Sequence, residues 1–264
     1  MFSTVSGRPK LGKTMFLLLD LDNTLLPSKQ AYDYAITELS KDWKTKGMGS
    51  ESDFISSYSE SRKHIKIQLG HHSSNRLRLL CFKNLLDQRN YGIDGMDIDL
   101  LLWLEERYFF HFGKSLCDSR DRNPDWAKLF IHLKQVFETG NALILTNENL
   151  RTQLLKLRAF FPENLRILFL TSEEIGIEKP HPNYFEYALK KVNKKPSECM
   201  MIGDNWEDDI SGANSSGISG IHLKSIFGQE KIVRELNSVL PGIKNFETDH
   251  ILSAIEFALG YPNS

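Results

Sequence analysis

Cysteine is scarce in this chain. Three occur among 264 residues, Cys81, Cys117 and Cys199, and no two of them form a C-x-x-C pair. So few and scattered cysteines exclude the disulfide framework of a small secreted domain, and the missing pair removes the usual sign of a zinc site. We therefore expect a protein of a reducing compartment, the cytoplasm.

The chain also lacks an excess of charge and any long apolar run. Lysine and arginine together number 33 against 34 acidic residues, so the formal net charge is -1. A protein that binds nucleic acid or an anionic membrane over its whole surface usually has a marked excess of basic residues. A membrane-spanning helix needs roughly 20 apolar residues. We therefore expect neither nucleic acid nor a membrane as a partner.

Short apolar runs are present instead, and they are typical of strands buried on both faces of a sheet. They cover residues 16–19, 142–145, 167–170, 200–202 and 218–223. Helical patterns lie between these runs, at residues 126–138, 150–160, 184–192 and 208–216, and a last one covers 251–259. Strands that alternate with helices predict an α/β protein with a parallel sheet covered on both faces.

The interval from about residue 28 to residue 123 breaks this alternation. Its patterns are helical, and a polar segment that ends at Pro124 predicts the return to the sheet. We predict an α/β core formed by residues 1–27 and 124–264, and an all-helical cap, residues 28–123, inserted after the first strand.

Two carboxylates, Asp20 and Asp22, directly follow the first apolar run. The carboxyl ends of strands in an open α/β sheet border the crevice where ligands bind, so both acids would lie there. One can act as a nucleophile while the other moves protons. Aspartate also commonly ends strands and begins turns, and the spacing alone does not separate the two interpretations.

Two further predicted strand ends carry candidate groups. Thr146 and Asn147 follow the second run, where a hydroxyl and backbone N–H groups can contact a phosphate, although a helix cap is the simpler interpretation. Lys179 lies in a loop with Pro180 and Pro182, and a lysine fixed in this way suits a phosphoryl group. Its alternative is a solvated surface lysine.

An acidic block, Gly203-Asp204-Asn205-Trp206-Glu207-Asp208-Asp209, follows the fourth run. Oxygen ligands clustered at a strand end favour a hard cation such as Mg²⁺. The later acids of the block could instead be first-turn residues favoured by a helix dipole.

The four segments occur in order, each at a predicted strand end. Their patterns D-x-D-N-T-L, strand-end threonine, K-P-x-P and G-D-x-x-x-D-D resemble the haloacid dehalogenase-like (HAD) hydrolase superfamily from residue 16 to about 223. The helical insertion resembles the type 1 cap of that superfamily. Within it, the chain resembles small-metabolite phosphatases such as the N-acylneuraminate-9-phosphatase-like proteins.

This resemblance implies a Rossmann-like core and a phosphatase that acts on a small phosphorylated metabolite through an aspartyl-phosphate. Asp20 would be the nucleophile, and Asp22 would protonate the leaving group and later activate water. Thr146, Asn147 and Lys179 would hold the phosphoryl oxygens, with Lys179 also steadying Asp20.

The resemblance also implies Mg²⁺ as the cofactor. Asp20 would bind it through its carboxylate and Asp22 through its backbone carbonyl. Asp204 would bind it directly, and Asp209 would support it, although Asp208 stands beside Asp209 and could take that role.

Three other functions stay open at this point. A phosphomutase shares the same four segments, whereas a haloacid dehalogenase needs neither a leaving-group acid nor Mg²⁺. A protein that binds a phosphometabolite without turning it over is the non-enzymatic alternative.

The interval 62–89 contains seven lysines and arginines and one acid, Asp87. Part of this stretch could close over the site and attract an anionic substrate. Helices with solvated basic faces are the simpler interpretation, which we favour for most of these residues. The basic residues are Arg62, Lys63, Lys66, Arg76, Arg78, Lys83 and Arg89.

Overall fold

A computed structural model describes residues 14–70, 72, 76–89, 97–238 and 240–261. Residues 1–13, which the sequence assigns to the core domain, lie outside the described residues. Among the described residues, no helix is long and apolar enough to cross a bilayer.

Within these described ranges, seven strands form one sheet in the order β3-β2-β1-β4-β5-β7-β6. All neighbouring strands are parallel except β6, which is antiparallel to β7. The strands are β1 (Phe16–Leu19), β2 (Ala142–Thr146), β3 (Leu168–Thr171), β4 (Cys199–Gly203), β5 (Ser219–Leu223), β6 (Arg234–Leu236) and β7 (Asn245–Thr248).

Ten α-helices occur in the described part of the chain. The first five are α1 (Ser28–Thr45), α2 (Glu51–Leu69), α3 (Arg78–Gln88), α4 (Ile98–Asp121) and α5 (Trp126–Glu138). The others are α6 (Leu150–Phe160), α7 (Ser172–Ile175), α8 (Pro182–Val192), α9 (Gly212–Ser215) and α10 (Ile251–Ala258). A π-helical turn, Trp206–Ser211, precedes α9, and a 3₁₀ turn, Pro196–Glu198, precedes β4.

Strand β1 shows why its sequence is a continuous apolar run. Leu17 and Leu19 pack in the larger core on one face, whereas Phe16 and Leu18 pack in a second core with α8 on the other. Successive side chains of a strand point to opposite faces, so a strand covered on both sides needs apolar residues throughout. The predicted α/β class with a Rossmann-like, mostly parallel sheet is confirmed.

Helices α1 to α4 occupy the interval between β1 and the return to the sheet. They are joined by a chain of buried rings in which neighbouring centroids lie 5.2–6.4 Å apart. Side chains cap the N-termini of two of them: Ser50 accepts a hydrogen bond from Asp53 N–H, and Asp97 accepts one from Leu100 N–H. The rings are those of Trp43, Phe54, Tyr58, Phe82, Tyr108 and Phe112.

The structure corrects the predicted elements in the last third of the chain. Strands β6 and β7 are not predicted, because Arg-Glu-Leu and Asn-Phe-Glu-Thr contain no continuous apolar run. Strand β6 lies at the sheet edge, where polar side chains meet solvent. The helix predicted from residue 208 begins two residues earlier as the π-helical turn.

Candidate active site

Three candidate residues meet where neighbouring strands end. Strands β2 and β4 flank β1, so Asp20, Thr146 and Asp204 reach the same edge of the sheet. Asp20 N–H donates to Ile202 O at 2.9 Å, which continues the β1–β4 ladder by one residue. The backbone of Asp20 is thereby fixed, and the residue is only 7% exposed.

Lys179 is a buried cation at the centre of this edge. Its Nζ donates to Asp20 Oδ1 at 2.7 Å, to Asp209 Oδ1 at 2.6 Å and to Leu145 O at 3.0 Å. Burial alone would lower the pKa of its ammonium, but the two carboxylates outweigh burial and raise the pKa above its usual value. Lys179 is therefore a fixed positive charge, and the solvated-lysine interpretation is wrong.

Asn147 holds the loop that carries Lys179. Its Nδ2 donates to Lys179 O at 2.8 Å, and its Oδ1 accepts from Lys179 N–H at 2.7 Å. The cap of α6 is Asn149, which accepts from Thr152 N–H at 3.0 Å. Neither Thr146 nor Asn147 is therefore the helix cap, and a phosphate contact by Asn147 would rest on its backbone N–H.

Asp20, Asp204 and Asp209 form a group of carboxylates that could hold a metal ion. One oxygen from each lies within 4.8 Å of the others. Oxygen atoms around one Mg²⁺ at about 2.1 Å lie at most about 4.2 Å apart, so the spacing of the three carboxylates is of the size that one ion requires. Thr24 links two of them: its hydroxyl donates to Asp20 Oδ2 at 2.9 Å and accepts from Asp204 N–H at 3.1 Å.

The pKa values of these three carboxyls show the cost of placing them together. Burial, and then the nearby Asp209, raises the pKa of Asp20 to about 7 despite the opposing effect of Lys179. Burial and the charge of Asp20 raise the pKa of Asp204 to about 7, and burial raises that of Asp209. A divalent cation would offset this repulsion, so the donor set fits a hard cation.

Gly203 allows Asp209 to reach the group. A Cβ at position 203 would lie 2.2 Å from Asp209 Oδ2, so only glycine fits this close approach. Asp208 lies outside the group, and its carboxylate accepts from Asn205 Nδ2 at 3.0 Å. The geometry favours Asp209 over Asp208 for the position that the sequence left open.

Asp22 has partners that the sequence analysis did not identify. Lys156 Nζ lies 2.8 and 3.0 Å from its two carboxylate oxygens. Gln153 Nε2 donates to Asp22 Oδ2 at 2.7 Å and to Thr146 Oγ1 at 2.6 Å. Burial alone would raise the pKa of Asp22, but Lys156 outweighs it and the pKa is lowered. Asp22 is therefore held as a carboxylate, and Tyr32 is a further hydrogen-bond partner of Lys156.

The spacing of apolar residues along α6 predicts the wrong buried face, and for this reason Gln153 and Lys156 are not identified from the sequence. Leu150 and Leu154 would place an apolar stripe towards the core, yet they are 37% and 52% exposed. Gln153 and Lys156, one turn apart, are 0% and 1% exposed. A buried lysine needs a compensating carboxylate, and this one finds Asp22, 134 positions away in sequence.

A cavity of about 240 Å³ lies above these residues. Its core side is lined by Asp20, Asp22, Asn23, Thr146, Asn147, Glu148, Lys179, Asp204, Asn205, Asp208 and Asp209. Its other side is lined by residues of the interval 28–123, namely Tyr32, Arg62, Lys66, Arg76 and Arg78. Four of the seven basic residues of interval 62–89 therefore line the cavity. The solvated interpretation is wrong for Arg78, which is buried, whereas Arg62 and Lys66 are both exposed and in the cavity lining.

The remaining three basic residues lie elsewhere. Lys83 pairs with Asp87 on the surface at 2.6 Å, and Arg89 donates to Ser57 Oγ at 2.9 Å. Lys63 is exposed and does not line the cavity.

Comparisons with known proteins agree with this fold. The haloacid dehalogenase-like hydrolase family matches residues 15–217. The ribulose-1,5-bisphosphate 5-phosphatase of Halopiger xanaduensis is 30% identical over 212 residues, which cover 78% of this chain and 82% of that protein. The glyceraldehyde 3-phosphate phosphatase of Methanothermobacter thermautotrophicus is 41% identical over 56 residues, 21% of this chain and 25% of that protein.

Among solved structures, the putative HAD-hydrolase YfnB from Bacillus subtilis, bound to magnesium, matches with a TM-score of 0.55 and 22% identity. The match covers 80% of this chain and 89% of that chain. At this identity the likeness supports the fold alone. The finer resemblance to N-acylneuraminate-9-phosphatase-like proteins stays a prediction. The family match covers more than half of the chain, and the protein belongs to the haloacid dehalogenase-like hydrolases.

Proposed function

We propose that this protein is a Mg²⁺-dependent phosphatase that hydrolyses small phosphorylated metabolites through an aspartyl-phosphate. The observation that carries the proposal is the grouping of Asp20, Asp204 and Asp209 within 4.8 Å, with Lys179 Nζ hydrogen-bonded to two of them. The family match and the relatives named as phosphatases of small sugar phosphates support it.

In the first step, the Asp20 carboxylate attacks the phosphorus atom and the bond to the leaving oxygen breaks. Because Asp22 is a carboxylate in the free protein, it takes up a proton from solvent before this step and gives that proton to the leaving oxygen, so the alcohol leaves neutral. The Thr146 hydroxyl donates to a phosphoryl oxygen, and the positive charge of Lys179 beside Asp20 stabilises the phosphoryl oxygens as charge moves onto them. The backbone N–H of Asn147 lies at the same strand end and would complete this cradle, whereas that of Thr146 already donates to Tyr184 Oη.

In the second step, Asp22 accepts a proton from water, which attacks the phosphorus atom of the aspartyl-phosphate. Inorganic phosphate leaves, and Asp20 is regenerated. Lys156 keeps Asp22 ionised in the free protein, which is the form that this second step requires. Gln153 orients both Asp22 and Thr146, so the proton-transfer group and a phosphate ligand are positioned together.

Asp20, Asp204 and Asp209 would hold Mg²⁺, with the Asp22 backbone carbonyl as a further ligand. When bound, the ion supplies positive charge that neutralises the phosphoryl oxygens and the crowded carboxylates. The cytoplasmic location stays part of this proposal, in keeping with three cysteines that all lie among the described residues and form no disulfide.

A screen for phosphate release tests the function. Wild type, with Mg²⁺, is given triose, pentose and hexose phosphates, phospho-acids and nucleoside monophosphates, beside Asp20→Asn. We expect release from at least one substrate and a loss of about 1,000-fold or more in kcat for Asp20→Asn, since the nucleophile is gone. Asp208→Asn is the matched control, because it makes the same change outside the metal group and should retain activity.

The alternatives give different results in the same screen. A mutase would need a phosphorylated activator and would form an isomer without net phosphate release. A haloacid dehalogenase would release halide from 2-chloropropionate without Mg²⁺. Tight binding of a phosphometabolite with no turnover of any substrate would favour the binding-protein alternative over the phosphatase.

A further inference from the structure

Four basic side chains face the cavity from the side opposite the catalytic residues. Arg62 and Lys66 are one turn apart on α2, Arg76 precedes α3, and Arg78 is its first residue. The proposed chemistry uses none of them, because Lys179, Thr146 and the metal ion already serve the phosphoryl group that is transferred. Their positive charge and their position in the cavity lining suit the binding of an anion that enters the cavity.

Arg78 is the most deeply placed of the four. It is 8% exposed, its Nε donates to Tyr108 Oη at 3.1 Å, and its guanidinium lies over the Tyr32 ring at 4.6 Å from the centroid. Within the described ranges, no carboxylate lies within 4.0 Å of this side chain. A buried guanidinium with neutral partners retains donors for an anion, and burying a charge without a counter-ion is costly.

Lys66 and Arg62 extend the positive surface along α2. Neither has a carboxylate within 4.0 Å among the residues that the structure describes. Burial, followed by the charges of Arg62, Arg76 and Arg78, lowers the pKa of Lys66. These cations therefore repel one another, and an anion between them would relieve that repulsion.

Arg76 is different, because it forms an ion pair with Glu178, the residue before Lys179. This pair ties the segment before α3 to the loop that carries the active-site lysine. We therefore assign Arg76 to closing the cavity and leave it out of the binding group.

We propose that Arg62, Lys66 and Arg78 bind a second anionic group of the substrate, and this inference rests on the proposed phosphatase function. The preferred substrate then carries a phosphate ester at one end and a phosphate or carboxylate at the other. Arginine suits both anions because its planar donors match two oxygens at once. A cavity of about 240 Å³, which is below the roughly 300–1,000 Å³ of typical small-molecule sites, suits a short molecule of this kind.

The test compares matched substrates that differ only in the second anion. 3-Phosphoglycerate is paired with glycerol 3-phosphate, and fructose 1,6-bisphosphate with fructose 6-phosphate, so the two pairs separate a carboxylate from a phosphate. For wild type we expect kcat/KM to be at least about tenfold higher for the two-anion member of one pair, as for one charge-assisted hydrogen bond. In Arg62→Ala/Lys66→Ala this ratio should fall towards one, mainly through KM.

The control is Lys63→Ala/Lys83→Ala, which removes two positive charges from the same interval outside the cavity. It separates a local binding site from a general loss of charge. Arg62, Lys66, Lys63 and Lys83 are all exposed, so neither variant removes a core contact. A wild-type ratio near one for both pairs, a ratio that survives in Arg62→Ala/Lys66→Ala, or an equal loss in the control would overturn the proposal.

Calorimetric binding of the same four compounds distinguishes this inference from the proposed function. If no compound releases phosphate, the phosphatase assignment fails for this set of compounds. The binding data then show by themselves whether Arg62, Lys66 and Arg78 bind a second anion. The proposal of a second anion site is supported if a two-anion compound binds more tightly than its one-anion partner and Arg62→Ala/Lys66→Ala abolishes that difference. Equal binding of both members of each pair rejects the proposal.

Discussion

Magnesium binding should depend steeply on pH between 6 and 8. Asp20 and Asp204 both have a pKa near 7, against an ordinary value of 3.8. Between about pH 4 and pH 7 the native protein holds protons that the unfolded chain has already released. Without metal, the free energy of unfolding therefore falls as the pH rises from about 4 to 7. Mg²⁺ requires the ionised carboxylates and must displace those protons at pH 6.

The size of the effect follows from the two pKa values. A carboxyl of pKa 7 is about one-eleventh ionised at pH 6 and about ten-elevenths at pH 8. The apparent Kd for Mg²⁺ should therefore rise about tenfold from pH 8 to 6 if one carboxyl titrates, and about a hundredfold if both do. At a concentration of 100 times the pH 8 Kd, the stabilisation is about 2.7 kcal/mol at pH 8 and about 0.4–1.4 kcal/mol at pH 6.

Thermal unfolding with and without Mg²⁺ measures this difference. At about 2–4 °C per kcal/mol, Tm should rise by about 5–11 °C at pH 8 and about 1–6 °C at pH 6. Asp204→Asn should lose the response at both pH values, whereas Asp208→Asn, its neighbour outside the metal group, should keep it. An equal Tm shift at both pH values, or a response that depends on Asp208 and not on Asp204, would refute the reasoning.

Three substitutions test other parts of the site. Gly203→Ala places a Cβ 2.2 Å from Asp209 Oδ2 and should raise the apparent Kd for Mg²⁺ about tenfold or more, measured by the same thermal shifts; an unchanged Kd would contradict the role of Asp209. Lys156→Met removes the cation that lowers the pKa of Asp22, so the alkaline limb of kcat/KM should move up by about 1–3 pH units, while Lys156→Arg should hold it near wild type. Tyr184→Phe leaves the buried Thr146 N–H without its acceptor and should lower the free energy of unfolding by about 1–3 kcal/mol in urea titrations. An unchanged free energy of unfolding would show that the hydrogen bond from Thr146 to Tyr184 does not stabilise the fold.

Much of the fold follows from local patterns. The buried strands β1, β2 and β4 are predicted because a strand covered on both faces must be apolar throughout, and helices α5 and α6 match their predicted bounds. Strands β6 and β7 escape prediction because pairing at a sheet edge stabilises them, and pairing leaves no periodic signal in the sequence.

The sequence by itself determined which residues stand at the strand ends, Asp20, Thr146 and Asp204 among them, because strand order along the chain and the carboxyl-end rule suffice for that. Only the tertiary structure decided the partners of Asp22 and the choice of Asp209 over Asp208. It also decided which basic residues face the cavity. These outcomes depend on side-chain orientation and on contacts between segments more than 100 residues apart, such as Lys156 with Asp22, and burial and charge select such contacts only once the chain is folded.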